Sequence, residues 1–493
     1  MPCTTILVGK KASYDGSTIV ARNEDCGAGE FCPKHYLVMH PEDQPRHYKS
    51  VLSHVEIDLP DNPMRYTYIP NALPHEGIWG AHGINEANVG MSATETITSN
   101  ERVGGADPYV TYIAAKGKEG DPDYQPGRPG GIGEEDFVTL ILPYIHSARE
   151  GVERMGMLLE TYGTYERNGV AFQDADEIWW IETIGGHHWM ARRVPDDCYA
   201  TIPNQLGLDF FDFDDAYGAK ENFLCSPDLK EFVEKYHLDL TLEGDFNPRQ
   251  AFGSHTSMDH VYNTPRAWAM QRYFNPRTYL WDGPDADYLP TDDDIPWCQA
   301  PEAKITIEDV KEVLSNRFEG TPYDMYGNSP KKPFRPIGIN RTSHLAILQI
   351  RPYVDEAHRA IQWITYASNV FNAITPYYAN VNRTPEYLAF TPDKVDTNSY
   401  YWANRLIGAL ADSQFKISAQ ELDRYKLMVQ TKAHRFLIES DQAISQADDK
   451  SAACEAADAK MADMLRNETD RILAKVLDIA SSHMSNSFSR SDA

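Results

Sequence analysis

The sequence predicts a chain of the α+β class, and three stretches carry that prediction. Residues 1–9 and 17–25 hold two runs rich in β-branched residues around Asp15-Gly16, a hairpin pattern. Residues 137–145 and 152–162 place Val138, Ile141, Leu142, Ile145, Val152, Met155 and Leu159 at helical spacing, which suits a helical layer lying on a sheet. From Ser418-Ala419-Gln420-Glu421, which reads as a capping box, the rest is rich in Ala, Lys, Asp and Glu and reads as helix.

Taken in order, residues 26–29 form a loop after the hairpin. Strands are expected at 36–39 and at 66–69, the second ended by Pro70. Gly83-Ile84-Asn85-Glu86 reads as a turn leading into a strand over 89–96. Residues 117–133 are rich in Gly and Pro but lack the Gly-Lys-Ser/Thr ending of a phosphate-binding loop, so they read as plain loop. Pro143 should break the first helix of the following pair. Residues 178–183 and 188–191 flank Gly185-Gly186, a second hairpin, and a strand over 199–202 ends at Pro203-Asn204. Asn263-Thr264-Pro265-Arg266 opens a helix with Pro in its first turn. Thr306-Ile307-Glu308-Asp309 starts a capped helix through Leu314, and 345–350 and 361–366 read as paired core strands. The expected organisation is one domain over 1–415, a helical extension over 416–481 packed on it, and a polar tail over 482–493. Sparse apolar positions put the extension on the outside or at a subunit contact, which leaves room for a homo-oligomer.

Composition narrows the partners. The 493 residues are 42% hydrophobic with a net charge of −27, enough for a large core and unsuited to nucleic acid or to an anionic membrane surface. No run approaches the ~18 apolar residues of a membrane span, and the N-terminus lacks the pattern of a signal peptide. Seven scattered cysteines point to a reducing, cytoplasmic setting. Cys26 and Cys32 have no matching second pair for zinc. His187-His188 would face opposite ways on a strand, and the acidic runs 209–215 and 292–294 lack the spacing of a calcium loop. Neither a metal nor a cofactor is expected.

One cysteine stands apart. If Gly9 faces Gly16, facing residue numbers sum to 25 and Cys3 lies opposite Arg22, with Asp25 a little further along. A thiol is nucleophilic as thiolate, the form a neighbouring guanidinium favours. Removing Met1 and Pro2 would give Cys3 an α-amine with a reference pKa of about 7.7–8.0, suited to a general base that Asp25 could orient.

Cys3 opening a strand, followed by Arg22-Asn23-Glu24-Asp25, resembles the N-terminal-nucleophile hydrolases of the choloylglycine hydrolase and penicillin V acylase group. The fuller stretch CTTILVGKKASYDGSTIVARNED resembles the dipeptidase A family of cysteine peptidases, peptidase family C69, and the likeness runs along most of the chain. The resemblance implies two stacked antiparallel sheets between helical layers, the four-layer αββα sandwich. It implies that Asn204 donates to the oxyanion and that Arg266, with Arg272 as the fallback, is a second active-site arginine. Glu95 falls where the acylases carry an Asn lining the oxyanion hole. A carboxylate cannot donate there, but it can bind the ammonium of a short peptide.

The expected activity is therefore hydrolysis of small dipeptides through an acyl-thioester on Cys3, with Arg22 and Arg266 holding thiolate and substrate. Two other readings stand beside it: an acylase or amidase of bile-acid conjugates or penicillin-like amides, and a non-enzymatic relative resembling the secernins. If the amine is not the base, His82 and His344 are the first residues to consider.

Overall fold

The β-branched runs near the N-terminus become the two central strands of a sheet. In the computed structural model, which describes residues 3–73 and 77–484, Cys3–Val8 pairs antiparallel with Thr18–Asp25. Met1 and Pro2 lie outside the described residues, as does the polar tail from residue 485 onward.

Among the described residues these strands belong to a seven-stranded sheet. Its order is Cys298–Gln299, Tyr199–Ile202, Cys3–Val8, Thr18–Asp25, Thr342–Ile350, Ala360–Tyr366, Thr375–Tyr378. An eight-stranded sheet runs Phe223–Cys225, Trp189–Arg193, Ile178–Thr183, Asn168–Gln173, Gly90–Thr96, His82–Asn85, Tyr66–Tyr68, Leu37–Met39. Every pairing within both is antiparallel.

Strand alternation sorts side chains into layers. Leu7, Val20 and Leu348 point toward the second sheet and share a core with Ile84, Ala171 and Trp180 from it. Ile6, Val8, Ile19 and Ala21 point the other way, into a core shared with helix residues Trp268, Val310, Ile407, Leu422 and Leu465. The outer face of the eight-stranded sheet packs Val170, Phe172 and Trp179 against Val138, Val152, Met155 and Leu159. Gly151 lies under the Phe172 ring, where a Cβ would come within 2.3 Å of it. The molecule is thus mixed α and β, with two antiparallel sheets face to face and helices on their outer faces.

Three local expectations change. The register of the first hairpin sums to 27, so Cys3 faces Glu24 and Thr5 faces Arg22. The turn is longer than the Asp15-Gly16 signal suggests, because the backbone of residues 195–198 captures Gly9, Lys11 and Ala12. Gly83-Ile84-Asn85 is the end of a strand rather than a turn. The turn follows, with Asn85 Oδ1 accepting from the N–H groups of Ala87 (3.1 Å) and Val89 (3.0 Å). Ser418 caps nothing, since its helix starts at Phe415 and its own N–H donates to the Gln414 carbonyl.

The helices Phe415–Ser445 and Lys450–Ser482 complete the core over the seven-stranded sheet. Leu422, Tyr425, Val429 and Ala433 on one, and Met461, Leu465, Ile472 and Val476 on the other, recur at helical spacing on buried faces. Pro143 does end the helix Phe137–Ile141, in a 3₁₀ turn, and Thr306 and Asp309 form a capping box. Among the described residues no helix is long and apolar enough to cross a membrane.

Candidate active site

The hairpin register sets the site. A shift of two residues leaves every side chain on its expected face. Cys3, Thr5, Arg22 and Glu24 therefore all point between the sheets, and Cys3, Glu24 and His344 form one row across three strands. Cys3 heads the first strand and Asp25 ends the second, so both lie at the same end of the sheet.

Arg22 is buried, and its guanidinium is divided among four acceptors. Nη1 donates to the carbonyls of Ala93, in the second sheet, and of Ala81, just before one of its strands, both at 2.9 Å. Nη2 donates to Cys3 Sγ at 3.0 Å and to Glu134 Oε1 at 2.8 Å. Glu24 Oε2 lies 3.6 Å from Nη1, and its other oxygen lies 2.6 Å from Nζ of the fully buried Lys34. Burial nonetheless dominates at the thiol. It pushes the Cys3 pKa up to about 12, against the downward pull of Arg22 and with the carboxylates of Glu95 and Glu134 adding to the rise.

Asn204 follows the strand Tyr199–Ile202 with φ of 68°, a left-handed conformation that Asn adopts more readily than most residues. Its Oδ1 accepts from the Cys3 N–H at 2.9 Å, and its Nδ2 donates to the Thr96 carbonyl at 2.7 Å. Arg266, in the first turn of the helix Thr264–Phe274, locks this corner. Its Nη1 donates to the Cys3 carbonyl and to Thr4 Oγ1 (2.5 Å), and its Nη2 to Asn204 Oδ1 and the Pro203 carbonyl, each at 2.7 Å. Arg272 lies apart, paired with Asp282.

Glu95 enters from the opposing sheet. Met91 and Ala93 on its strand face the outer core, but the register shifts between Ala93 and Glu95, and the Glu95 carboxylate reaches the inner face. There Oε2 accepts from Thr5 Oγ1 at 2.7 Å, while Oε1 has no hydrogen-bond partner among the described residues. Burial raises the Glu95 pKa from 4.5 to about 7, opposed by Arg266, Thr5, Arg22 and Arg335.

Asp25 points to the helix-facing side, away from the Cys3 side chain. It accepts from Arg335 Nη2 and from Thr342 Oγ1, the latter at 2.6 Å. His82 Nδ1 and His344 Nε2 lie 3.2 Å apart, and burial, the largest effect on each, drives both pKa values well below 6.5.

The structure thus brings Cys3, Arg22, Glu95, Asn204 and Arg266 together and joins Asp25 to them at the sheet end. Glu24, Lys34, Glu134 and Arg335 were not singled out in the sequence. Glu24 sat inside a quoted motif, and the acidic run Glu134-Glu135-Asp136 after the glycine-rich loop was a usable signal; Lys34 and Arg335 offered none.

This architecture can be set beside known proteins. The sequence description of Peptidase family C69 matches residues 2–428. The chain is 52% identical to a protein of Bifidobacterium longum (strain NCC 2705) named dipeptidase, with both chains covered in full. It is likewise 52% identical, over the whole of both chains, to probable dipeptidase A of Streptococcus pyogenes serotype M3 (strain SSI-1). Identity to dipeptidase A of Lactobacillus helveticus is 45%, covering 97% of this chain and 96% of that one. A match of this extent establishes that the chain belongs to peptidase family C69.

Proposed function

We propose that the protein is a cysteine dipeptidase of the N-terminal-nucleophile type, with the αββα sandwich of that superfamily and Cys3 as its nucleophile. The 3.0 Å contact between Arg22 Nη2 and Cys3 Sγ, at the head of a strand whose N–H is held by Asn204, carries the reading. The names of the full-length relatives supply the substrate class.

In the proposed reaction Cys3 Sγ attacks the carbonyl carbon of the single peptide bond, forming an S–C bond and an oxyanion. The thiol proton passes to the α-amine freed at Cys3 and from there to the leaving nitrogen as the C–N bond breaks. Water then cleaves the thioester, releasing the second amino acid and restoring the thiol. Asn204 Nδ2 keeps a second hydrogen, beyond the one given to Thr96, for the oxyanion; one such donor is worth about 3–4 kcal/mol. Arg266 acts as a positioning residue, because its hydrogen bonds fix the Cys3 carbonyl and the Asn204 amide. Glu95, with one uncommitted oxygen, is assigned the substrate ammonium, and Asp25 is assigned the orientation of the amine.

The direct test is hydrolysis of unblocked dipeptides by the purified chain with Cys3→Ala as control. Turnover that survives the substitution, or a preference for acyl amides over dipeptides, would overturn the reading.

A further inference from the structure

Arg335 is a buried cation that the proposed reaction leaves without a task. It sits in a proline-flanked segment whose backbone is tied down, with the Arg335 N–H donating to the Val261 carbonyl at 2.9 Å. Its side chain is only 3% exposed. One nitrogen, Nη2, donates to Asp25, yet Nε and Nη1 have no hydrogen-bond partner among the described residues although both are buried. Unpaired buried donors on a charged group are costly and call for a partner.

The surroundings say what kind of partner. Arg335 repels both Arg266 and Arg341 at this end of the sheet, and Arg341 Nε is also buried with no partner among the described residues. The carboxylates that act against them are those of Asp25 and Glu95. A concentration of guanidinium groups with open N–H positions favours one more anion with planar, two-oxygen geometry. Arg335 meets Asp25 at the end of the sheet where Cys3 begins its strand, and its charge is felt by Arg266 and Glu95, which line the site. A dipeptide places its own C-terminal carboxylate one residue beyond the reacting bond.

We propose that Arg335 binds the C-terminal carboxylate of the substrate and thereby restricts cleavage to peptides with one residue after the scissile bond. The proposal rests on the dipeptidase reading above. Nη2 remains on Asp25, while Nη1 takes a carboxylate oxygen.

The test compares kcat/KM for alanylalanine and for alanylalaninamide, which differ only in the charge at that end. The wild-type enzyme is expected to prefer the acid, and Arg335→Met to reduce the acid-to-amide ratio about 10- to 100-fold, chiefly through KM for the acid. Any general damage from exposing Asp25 falls on both substrates and cancels in the ratio. Arg335→Lys, which keeps the charge but not the guanidinium, should retain part of the preference and secures the test if the Met variant does not fold. An unchanged ratio in the folded variants would overturn the proposal while leaving the dipeptidase reading intact. Failure of the wild-type enzyme to cleave alanylalanine, or its cleavage by Cys3→Ala, would overturn that reading itself.

Discussion

Arg22 and Glu134 meet at 2.8 Å in a site where both are almost wholly buried, and the same Arg22 nitrogen reaches Cys3 Sγ. Removing one partner of a buried ion pair strands the other charge, at a cost of about 3–5 kcal/mol. Glu134→Ala should therefore lower the free energy of unfolding in urea by about that amount. A loss below about 1 kcal/mol, the range of an exposed pair, would refute the assignment of Glu134 as the structural counterion of Arg22.

The pH dependence of stability follows from Glu95. Its pKa is about 7 in the folded chain and 4.5 ordinarily, so between those values the folded state keeps a proton that the unfolded chain has released. Its contribution to stability is complete below about pH 4.5 and is lost as pH rises through 7. Glu95→Gln imitates the protonated form. The melting temperature of the variant should gain on the wild type from pH 4.5 to 7 and then hold a constant lead; a gap independent of pH would count against it.

The same substitution probes substrate recognition. If Glu95 holds the ammonium, Glu95→Gln should weaken hydrolysis of free-amine dipeptides about tenfold more than that of N-blocked ones. Equal effects on both would remove Glu95 from substrate binding.

Thiol chemistry without a metal gives a fourth expectation. Alkylation of Cys3 should abolish hydrolysis, and prolonged chelation should leave it intact. Activity lost to a chelator and restored by zinc would sink the thiol mechanism. With its pKa near 12, the thiol of unprocessed protein should also react slowly with iodoacetamide at neutral pH.

Maturation is the fifth. A peptide nitrogen is not basic, so protein in which Pro2 still precedes Cys3 should be inactive. Active material should begin at Cys3 by intact mass, while Cys3→Ala should fold and retain Pro2. Full activity in protein that still carries Pro2 would take the α-amine out of the mechanism.

The sequence was most legible where a local rule has a period. Apolar spacing at Val138, Val152 and Leu159, and β-branched runs around Asp15-Gly16 and Gly185-Gly186, found elements that the structure contains. Cys3 and Arg22 fell on one face although the register was two residues off, because a slip of two preserves the face. Asn204 and Arg266 came from resemblance alone, since a strand-end Asn and a helix-start Arg are common in turns and caps. Lys34 and Arg335 escaped for a different reason. Each is a single charge in an irregular segment, and its burial is decided by chain hundreds of residues away or in the other sheet. Ser418 misled because a capping-box pattern also fits the first turn of a helix that began three residues earlier.

The loop of the first hairpin also bears on how such genes can change length. Thr18–Asp25 is buried along its whole length and is held in register on its far side by Thr342–Ile350, so residues added to the stretch between Val8 and Thr18 stay in the loop, and the thiol and the guanidinium still meet between the sheets. Homologous sequences should therefore vary in the length of this loop in odd and even steps alike, whereas a single residue inserted within Thr18–Asp25 ahead of Arg22 would turn the guanidinium toward the helices and cost activity.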